Sequence, residues 1–170
     1  DITQAAIVVI KKRLRDTWGD EAAYDVIGEP VSLPDARALA ESDPYQFQWW
    51  ALGLVGARPV DQRKGADRGI DGRLYFHDGD PNDHTKQIIL SVKAGRTGVA
   101  HVRDLRGVVE RENAQIGVLV AMEKPTSAMR REAASAGYYE RPCGRTRHPR
   151  IQILTVAELL DGKKIDYPPW

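Results

Sequence analysis

The chain has 170 residues, of which 42% are hydrophobic and 29% charged, and this composition predicts an ordinary globular domain with one core. Its net charge is +1, yet cations are concentrated: residues 111–150 carry eight Lys and Arg against four Asp and Glu. The single cysteine, Cys143, excludes an internal disulfide, and no apolar run approaches the roughly 20 residues needed to span a bilayer. We expect a cytoplasmic protein without a membrane segment. Because the chain begins with Asp1, we also expect a processed chain or a fragment.

The first third of the chain predicts mainly helices. Helices are predicted over residues 3–18, 34–41 and 44–55, and a short strand over residues 24–27. The third helix has the strongest start signal, because Asp43 is a favoured N-cap residue and Pro44 is favoured at the first helical position. The spacing of its apolar residues places four side chains on one core-facing side. These are Phe47, Trp50, Ala51 and Leu54.

The rest of the chain predicts strands and helices in alternation. Strands are predicted over residues 69–76, 86–93, 116–122 and 151–154, and helices over residues 99–112, 125–136 and 155–160. The polar segment 77–84 joins the first two strands as a hairpin loop. This order predicts an α/β fold with a central mixed β-sheet flanked by helices. We expect a core domain over residues 44–170, with residues 1–43 as an extension that packs on it or links it to an upstream domain.

Two of the predicted strands bring together residue types that suit phosphodiester chemistry. Side chains alternate along a strand, so Ser91 and Lys93 project from one face, and a hairpin with the preceding strand places Asp71 beside them. A carboxylate can hold a hard divalent cation, and a lysine beside it can stabilise negative charge on a phosphate. The pattern therefore predicts a metal-dependent site at the end of the second strand.

These residues carry a family resemblance. Phe47-Gln48, then Gly-Ala-Asp-Arg-Gly-Ile-Asp-Gly over residues 65–72, then Ser91-Val92-Lys93 resembles the Mrr-like branch of the restriction-endonuclease, or PD-(D/E)xK, superfamily. The superfamily core has the order αβββαβ, which the predicted elements match. The resemblance runs from about residue 45 to 160, and residues 24–56 also resemble the carboxy-terminal region of DNA methyltransferases that carry such a domain. It implies a restriction-endonuclease-like fold and an enzyme, a Mg²⁺- or Mn²⁺-dependent DNA endonuclease of restriction–modification or host defence.

The resemblance also implies roles for four side chains. Asp71 matches the metal-binding aspartate, and Lys93 matches the catalytic lysine. Ser91 stands where an acidic residue or Gln is usual, and Gln48 stands where related domains carry a helical Glu. We include both as candidate catalytic residues.

With one acidic residue matched, the mode of metal binding stays open. The metal binds through Asp71, the Val92 carbonyl and waters, or Glu110 on the following helix supplies a second carboxylate. The third alternative is a decayed site, which would leave a DNA-binding or protein-interaction domain attached to a DNA methyltransferase.

The resemblance implies double-stranded DNA as the partner. The local excess of arginine by itself indicates either a polyanionic partner or a solvated surface loop. An upstream methyltransferase domain of the same polypeptide and a second copy in a homodimer are further partners left open. The candidate DNA contacts are Lys64, Arg68, Arg73, Arg96, Arg103, Arg141, Arg145, Arg147 and Arg150.

Overall fold

Helices and strands alternate along most of the chain. The computed structural model describes residues 4–19, 23–24, 26–60, 69–79, 85–141 and 146–168. The helices are α1 (Gln4–Trp18), α2 (Leu33–Ser42), α3 (Pro44–Leu54), α4 (Val99–Arg111), α5 (Ser127–Ser135) and α6 (Val156–Leu160). The strands are β1 (Arg58–Pro59), β2 (Gly72–Phe76), β3 (Lys86–Lys93), β4 (Ile116–Ala121), β5 (Tyr138–Glu140), β6 (Arg147–Pro149) and β7 (Ile151–Thr155).

Five strands form one mixed sheet in the order β1-β2-β3-β4-β7. The β1–β2 and β2–β3 pairs are antiparallel, with Gly72 opposite Leu90, whereas the β3–β4 and β4–β7 pairs are parallel. β5 and β6 form a separate antiparallel pair. Helices pack on both faces of the large sheet, and the predicted α/β class with a central mixed sheet is therefore confirmed.

Two hydrophobic clusters cover the two faces of the sheet. One cluster joins α2, α3 and α6 to Ile88, Leu90 and Val92 of β3. The other joins α4 and α5 to Ile89 of the same strand. Neighbouring residues of β3 thus enter different cores, as the alternation of side chains requires. All six residues of β4 are buried, which explains the continuous apolar run in its sequence.

Side-chain caps fix where four helices begin. The hydroxyls of Ser32 at α2, Thr126 at α5 and Thr155 at α6 each accept a hydrogen bond from the backbone N–H three residues later. The Asp43 carboxylate accepts from two backbone N–H groups, at 3.1 Å each, and so starts α3 at the predicted residue. A cap of this kind typically contributes about 1 kcal/mol to stability.

Two details of the amino-terminal region differ from the sequence prediction. The strand predicted over residues 24–27 is wrong: none of its described residues lies in a strand, and the chain turns at Gly28, whose φ is 87°. The apolar spacing places Leu54 on the core face of α3, but its side chain is 38% exposed, whereas Leu52 is fully buried. Leu52 is buried because α3 packs on several sides, between α1, α2 and the sheet.

Three strands, β1, β5 and β6, have no clear sequence signal. β1 has two residues and includes Pro59, so no alternation can be read from it. The β5–β6 hairpin is held by contacts distant in sequence. The Tyr139 ring meets the Phe76 ring edge-on, with centroids 5.9 Å apart, and the Tyr139 hydroxyl donates to the Asp78 carboxylate.

The amino-terminal helix crosses closely over α3. A Cβ atom at Gly53 would lie 2.6 Å from Val8 Cγ2, so a side chain at this position would push the two helices apart. Within the described ranges, no helix is both long and apolar enough to cross a membrane. The domain boundary at residues 43 and 44 stays a prediction.

Glycine packing at the centre of the sheet gives a stability test. A Cβ atom at Gly117 would lie 2.6 Å from Val109 Cγ2 and 3.0 Å from Ile151 Cδ1, so Gly117→Ala should destabilise the domain by about 1–3 kcal/mol through overpacking. Gly107 in α4 has no atom within 4 Å of such a Cβ, so Gly107→Ala should stabilise it by about 0.5–1 kcal/mol. Urea denaturation measures both changes. Equal effects of the two substitutions would contradict the packing described here.

Candidate functional site

Asp71 lies at the start of β2 and is held there by the backbone. Its N–H donates to the Leu90 carbonyl at 2.9 Å, and its carbonyl accepts from the Val60 N–H at 3.2 Å. The residue is 7% exposed. These bonds on both sides fix the direction of its side chain, so the carboxylate is a buried charge at a defined position.

The end of β3 supplies three groups to this carboxylate. The Ser91 hydroxyl lies 3.2 Å from Asp71 Oδ2, and the Val92 backbone N–H donates to the same oxygen at 2.6 Å. The Lys93 ammonium lies 3.8 Å from Oδ2, an ion pair beyond hydrogen-bond distance. The antiparallel pairing of β2 with β3 thus brings Asp71, Ser91 and Lys93 together, as strand alternation and the hairpin predicted.

The fourth group comes from α3. The Gln48 side-chain amide donates to Asp71 Oδ1 at 3.1 Å. The carboxylate can only accept, so the amide must present its NH₂ group and not its oxygen. Position 48 therefore supplies a hydrogen-bond donor where a glutamate would supply a second negative charge.

The two further candidate metal ligands contribute differently from what was expected. Glu110 is exposed on α4 and forms an ion pair with Arg106, at 3.1 Å. Val92 contributes its N–H to Asp71, a contact that side-chain patterns cannot reveal. Metal binding by the Val92 carbonyl or by Glu110 stays a prediction.

The residues around Asp71 do not fit a divalent cation. Mg²⁺ and Mn²⁺ need several oxygen atoms that offer lone pairs, whereas Gln48, Val92 and Lys93 direct hydrogen atoms towards the carboxylate. Over the part of the chain that the structure describes, no group of three His, Cys, Asp or Glu could hold a metal ion. Protein donors thus occupy the carboxylate oxygens that a cation would need.

Two of the predicted DNA contacts are paired with carboxylates of the protein. Arg73 donates to Gln87 Oε1 at 2.6 Å and to Glu112 Oε2 at 2.7 Å, and its hydrogen bond holds the pKa of Glu112 below the usual range. Arg103 on α4 pairs with Glu132 on α5 at 3.0 Å. A phosphate would have to compete with these carboxylates for both guanidinium groups.

Two arginines at the β5–β6 hairpin make contacts within the protein. Arg141 donates to the Asp78 carbonyl, and the Arg147 guanidinium stacks 4.6 Å above the Tyr138 ring. Arg150 follows β6 and is half-buried, and Arg96 is exposed in the loop after β3. Three of the predicted DNA contacts, Lys64, Arg68 and Arg145, lie outside the described residues.

The hairpin lies far from Asp71. Tyr139 contacts Phe76, which pairs with Lys86 at the first residue of β3, whereas Lys93 is the last residue of that strand. Seven steps of about 3.3 Å separate the two ends of β3 by roughly 23 Å. The hairpin arginines and Arg96 therefore lie at opposite ends of β3.

The fold and this site define a class. A mixed sheet in αβββαβ order, with Asp71 entering β2 and Lys93 ending β3, is a restriction-endonuclease-like domain. The family model of NACHT-associated inactive Restriction Endonuclease 1 matches residues 45–161, and the chain belongs to this family. No curated protein matches the chain. The word inactive in the family description agrees with a carboxylate that is surrounded by hydrogen-bond donors.

Substitution of Asp71 tests whether this carboxylate holds the fold together. Asp71→Asn places an NH₂ group opposite Gln48 or Val92, so two donors would face each other in a buried site. We expect the free energy of unfolding to fall by about 1–3 kcal/mol, measured by urea denaturation. Asp104→Asn, on an exposed position of α4, is the matched control and should change stability by less than about 0.5 kcal/mol. A stabilising Asp71→Asn would instead indicate an electrostatically strained site, as in an active enzyme.

Proposed function

We propose that this domain is a nuclease fold that binds double-stranded DNA without cleaving it. The observation that carries the proposal is the set of hydrogen bonds that Asp71 accepts from Gln48, Ser91 and Val92. They compensate the one buried carboxylate of the site without a cation. The match to a family described as inactive supports the same reading.

The chemistry of hydrolysis explains why these contacts favour a loss of activity. Attack on an anionic phosphodiester requires an activated water and positive charge placed where the transition state becomes more negative. The Lys93 ammonium is paired with Asp71, and neither Gln48 nor Ser91 can act as a base near neutral pH. Removing one preorganised charge typically lowers the rate of hydrolysis by about 10²–10³. This site lacks more than one such charge.

The proposed DNA contact is the edge of the sheet where β3 and β4 end. These strands are parallel, so Lys93, Arg96 and Lys124 follow their carboxyl ends on the same edge. Among the described residues neither Arg96 nor Lys124 has a carboxylate partner, and the nearby Glu123 is paired with Arg37 at 3.2 Å. The edge is therefore positively charged, as binding to phosphates requires.

The family description also suggests a context. The family is called NACHT-associated, and we propose that this chain works with a NACHT module in place of the methyltransferase domain that the sequence resemblance suggested. We also propose that the fold originates from the Mrr-like branch. The segments Gly-Ile-Asp-Gly and Ser-Val-Lys carry this finer likeness.

The test is binding of a 20-base-pair duplex by the purified domain over a series of salt concentrations. We expect affinity to fall steeply with salt and to be similar for unrelated sequences. Arg96→Ala with Lys124→Ala should reduce the salt slope by about two, because each lost phosphate contact removes about one. The control pair Arg130→Ala with Arg131→Ala removes equal charge from the exposed surface of α5 and should change the slope by less than one.

A second pair, Arg147→Ala with Arg150→Ala, tests the hairpin arginines separately. Supercoiled plasmid incubated with Mg²⁺ or Mn²⁺ should remain intact. Metal-dependent nicking that Lys93→Ala abolishes would overturn the proposal in favour of the endonuclease. Absence of any salt-sensitive affinity for DNA would overturn it in favour of the protein-interaction module.

A further inference from the structure

A groove of about 560 Å³ lies on the other side of α3, between α1 and β1. Its floor is apolar: Trp50, Leu54, Ala57 and Pro59 contribute to it, together with Val8 from α1. Part of this apolar surface faces solvent, since Val9 is 49% exposed and Leu54 is 38% exposed. The volume is within the range of protein sites that accept side chains or small ligands.

The rim of the groove is basic. Lys11, Lys12, Arg13, Arg15 and Arg58 line it, against two acidic residues, Asp16 and Glu29. Both acids are already paired with the two lysines, Lys12 at 2.7 Å from Asp16 and Lys11 in contact with Glu29. Within the described residues, the three arginines have no carboxylate partner. The groove therefore combines an apolar floor with three guanidinium groups whose charge the chain does not neutralise.

We propose that this groove docks a peptide segment of a partner protein that carries apolar anchor residues flanked by Asp and Glu. Apolar side chains of the peptide would cover Leu54 and Val9. Its carboxylates would pair with Arg13, Arg15 and Arg58. Guanidinium groups bind carboxylates through two parallel hydrogen bonds, so the pairing contributes orientation as well as attraction. An amphipathic segment in an apolar groove with charged flanks is a recurrent mode of peptide recognition.

The same features argue against two other occupants. The phosphates of DNA could pair with the arginines, but they would make no favourable contact with the apolar floor and would leave it exposed to water. A second copy of the chain, in a two-fold symmetric contact, would place this basic rim against itself, and the like charges would repel. The proposal is independent of the DNA-binding proposal, because it concerns neither Asp71 nor the edge at Lys93.

The test begins with a displayed library of random 16-residue peptides, selected on the immobilised wild-type domain. We expect the recovered peptides to be enriched in Asp and Glu next to Leu, Ile, Phe or Trp. Two recovered peptides are then synthesised with a fluorescent label, and their affinity is measured by polarisation. A triple variant should weaken peptide binding at least tenfold; it combines Arg13→Glu, Arg15→Glu and Arg58→Glu. The single variant Leu54→Asp should also weaken peptide binding at least tenfold.

The matched control is Arg130→Glu with Arg131→Glu and Lys164→Glu, which reverses three exposed cations away from the groove and should change affinity less than twofold. Circular dichroism and thermal melting establish that each variant is folded, and Leu54→Asp keeps the test valid if the triple variant is not. The triple Arg→Glu variant should lower DNA affinity no more than the matched control does, because both change the net charge equally.

Several results would overturn the proposal. These are failure to recover any peptide, recovered peptides without an acidic excess, or binding that the groove variants leave unchanged. Loss of DNA affinity in the triple variant, with peptide binding intact, would assign the groove to nucleic acid. A dimer of the wild-type domain in sedimentation that the triple variant dissociates would assign it to a second copy.

Discussion

A carboxylate removed from water at the end of a strand must be compensated, because an unpaired buried charge costs several kcal/mol. In this domain the charge is that of Asp71, and the compensation comes from the protein. One oxygen accepts from the Gln48 amide, and the other accepts from the Ser91 hydroxyl and the Val92 N–H, with Lys93 nearby. Position 48 and position 91 could instead carry carboxylates, and the same geometry would then require a cation. Two side chains thus distinguish this site, where protein donors satisfy a single carboxylate, from one whose carboxylates would attract a metal.

The contacts around the Asp71 carboxylate also connect the fold. Asp71 joins α3 through Gln48, β3 through Ser91 and Val92, and the segment after β1 through the Val60 N–H. These elements belong to one side of the molecule, where α3 packs between the sheet and α1. A retained aspartate therefore needs no catalytic explanation, since its removal would leave buried donors without an acceptor. On the proposed function, the fold persists without hydrolysis because the same residue stabilises the structure.

The sequence was informative where the physical cause is local. Asp43-Pro44 marks the start of α3, the apolar run from Ile116 marks β4, and alternation along β3 places Ser91 and Lys93 together. The β5–β6 hairpin could not be predicted, because the ring contact between Phe76 and Tyr139 joins residues that are distant in the chain.

The same limit applies to charge. Counting arginines along the sequence places a basic excess in residues 111–150. Only the topology reveals that the hairpin packs near Lys86, at the end of β3 that lies roughly 23 Å from Lys93. The sequence partly predicts that hydrogen-bond donors surround Asp71, because Gln48 and Ser91 both carry donor groups. It does not predict the contact from the Val92 N–H, since every residue except proline carries this group and only the register directs it to Asp71.

The most direct measurement is an anomalous difference map from crystals of the domain soaked in Mn²⁺. Crystals of a Gln48→Glu with Ser91→Glu variant serve as the positive control, because three carboxylates would then converge on one point. For the wild type we expect no peak within coordination distance of the Asp71 carboxylate, and in the variant we expect a peak about 2 Å from its oxygens. A Mn²⁺ peak bound to Asp71 in the wild type, with Gln48 and Ser91 displaced, would contradict the proposal that protein donors take the place of a metal.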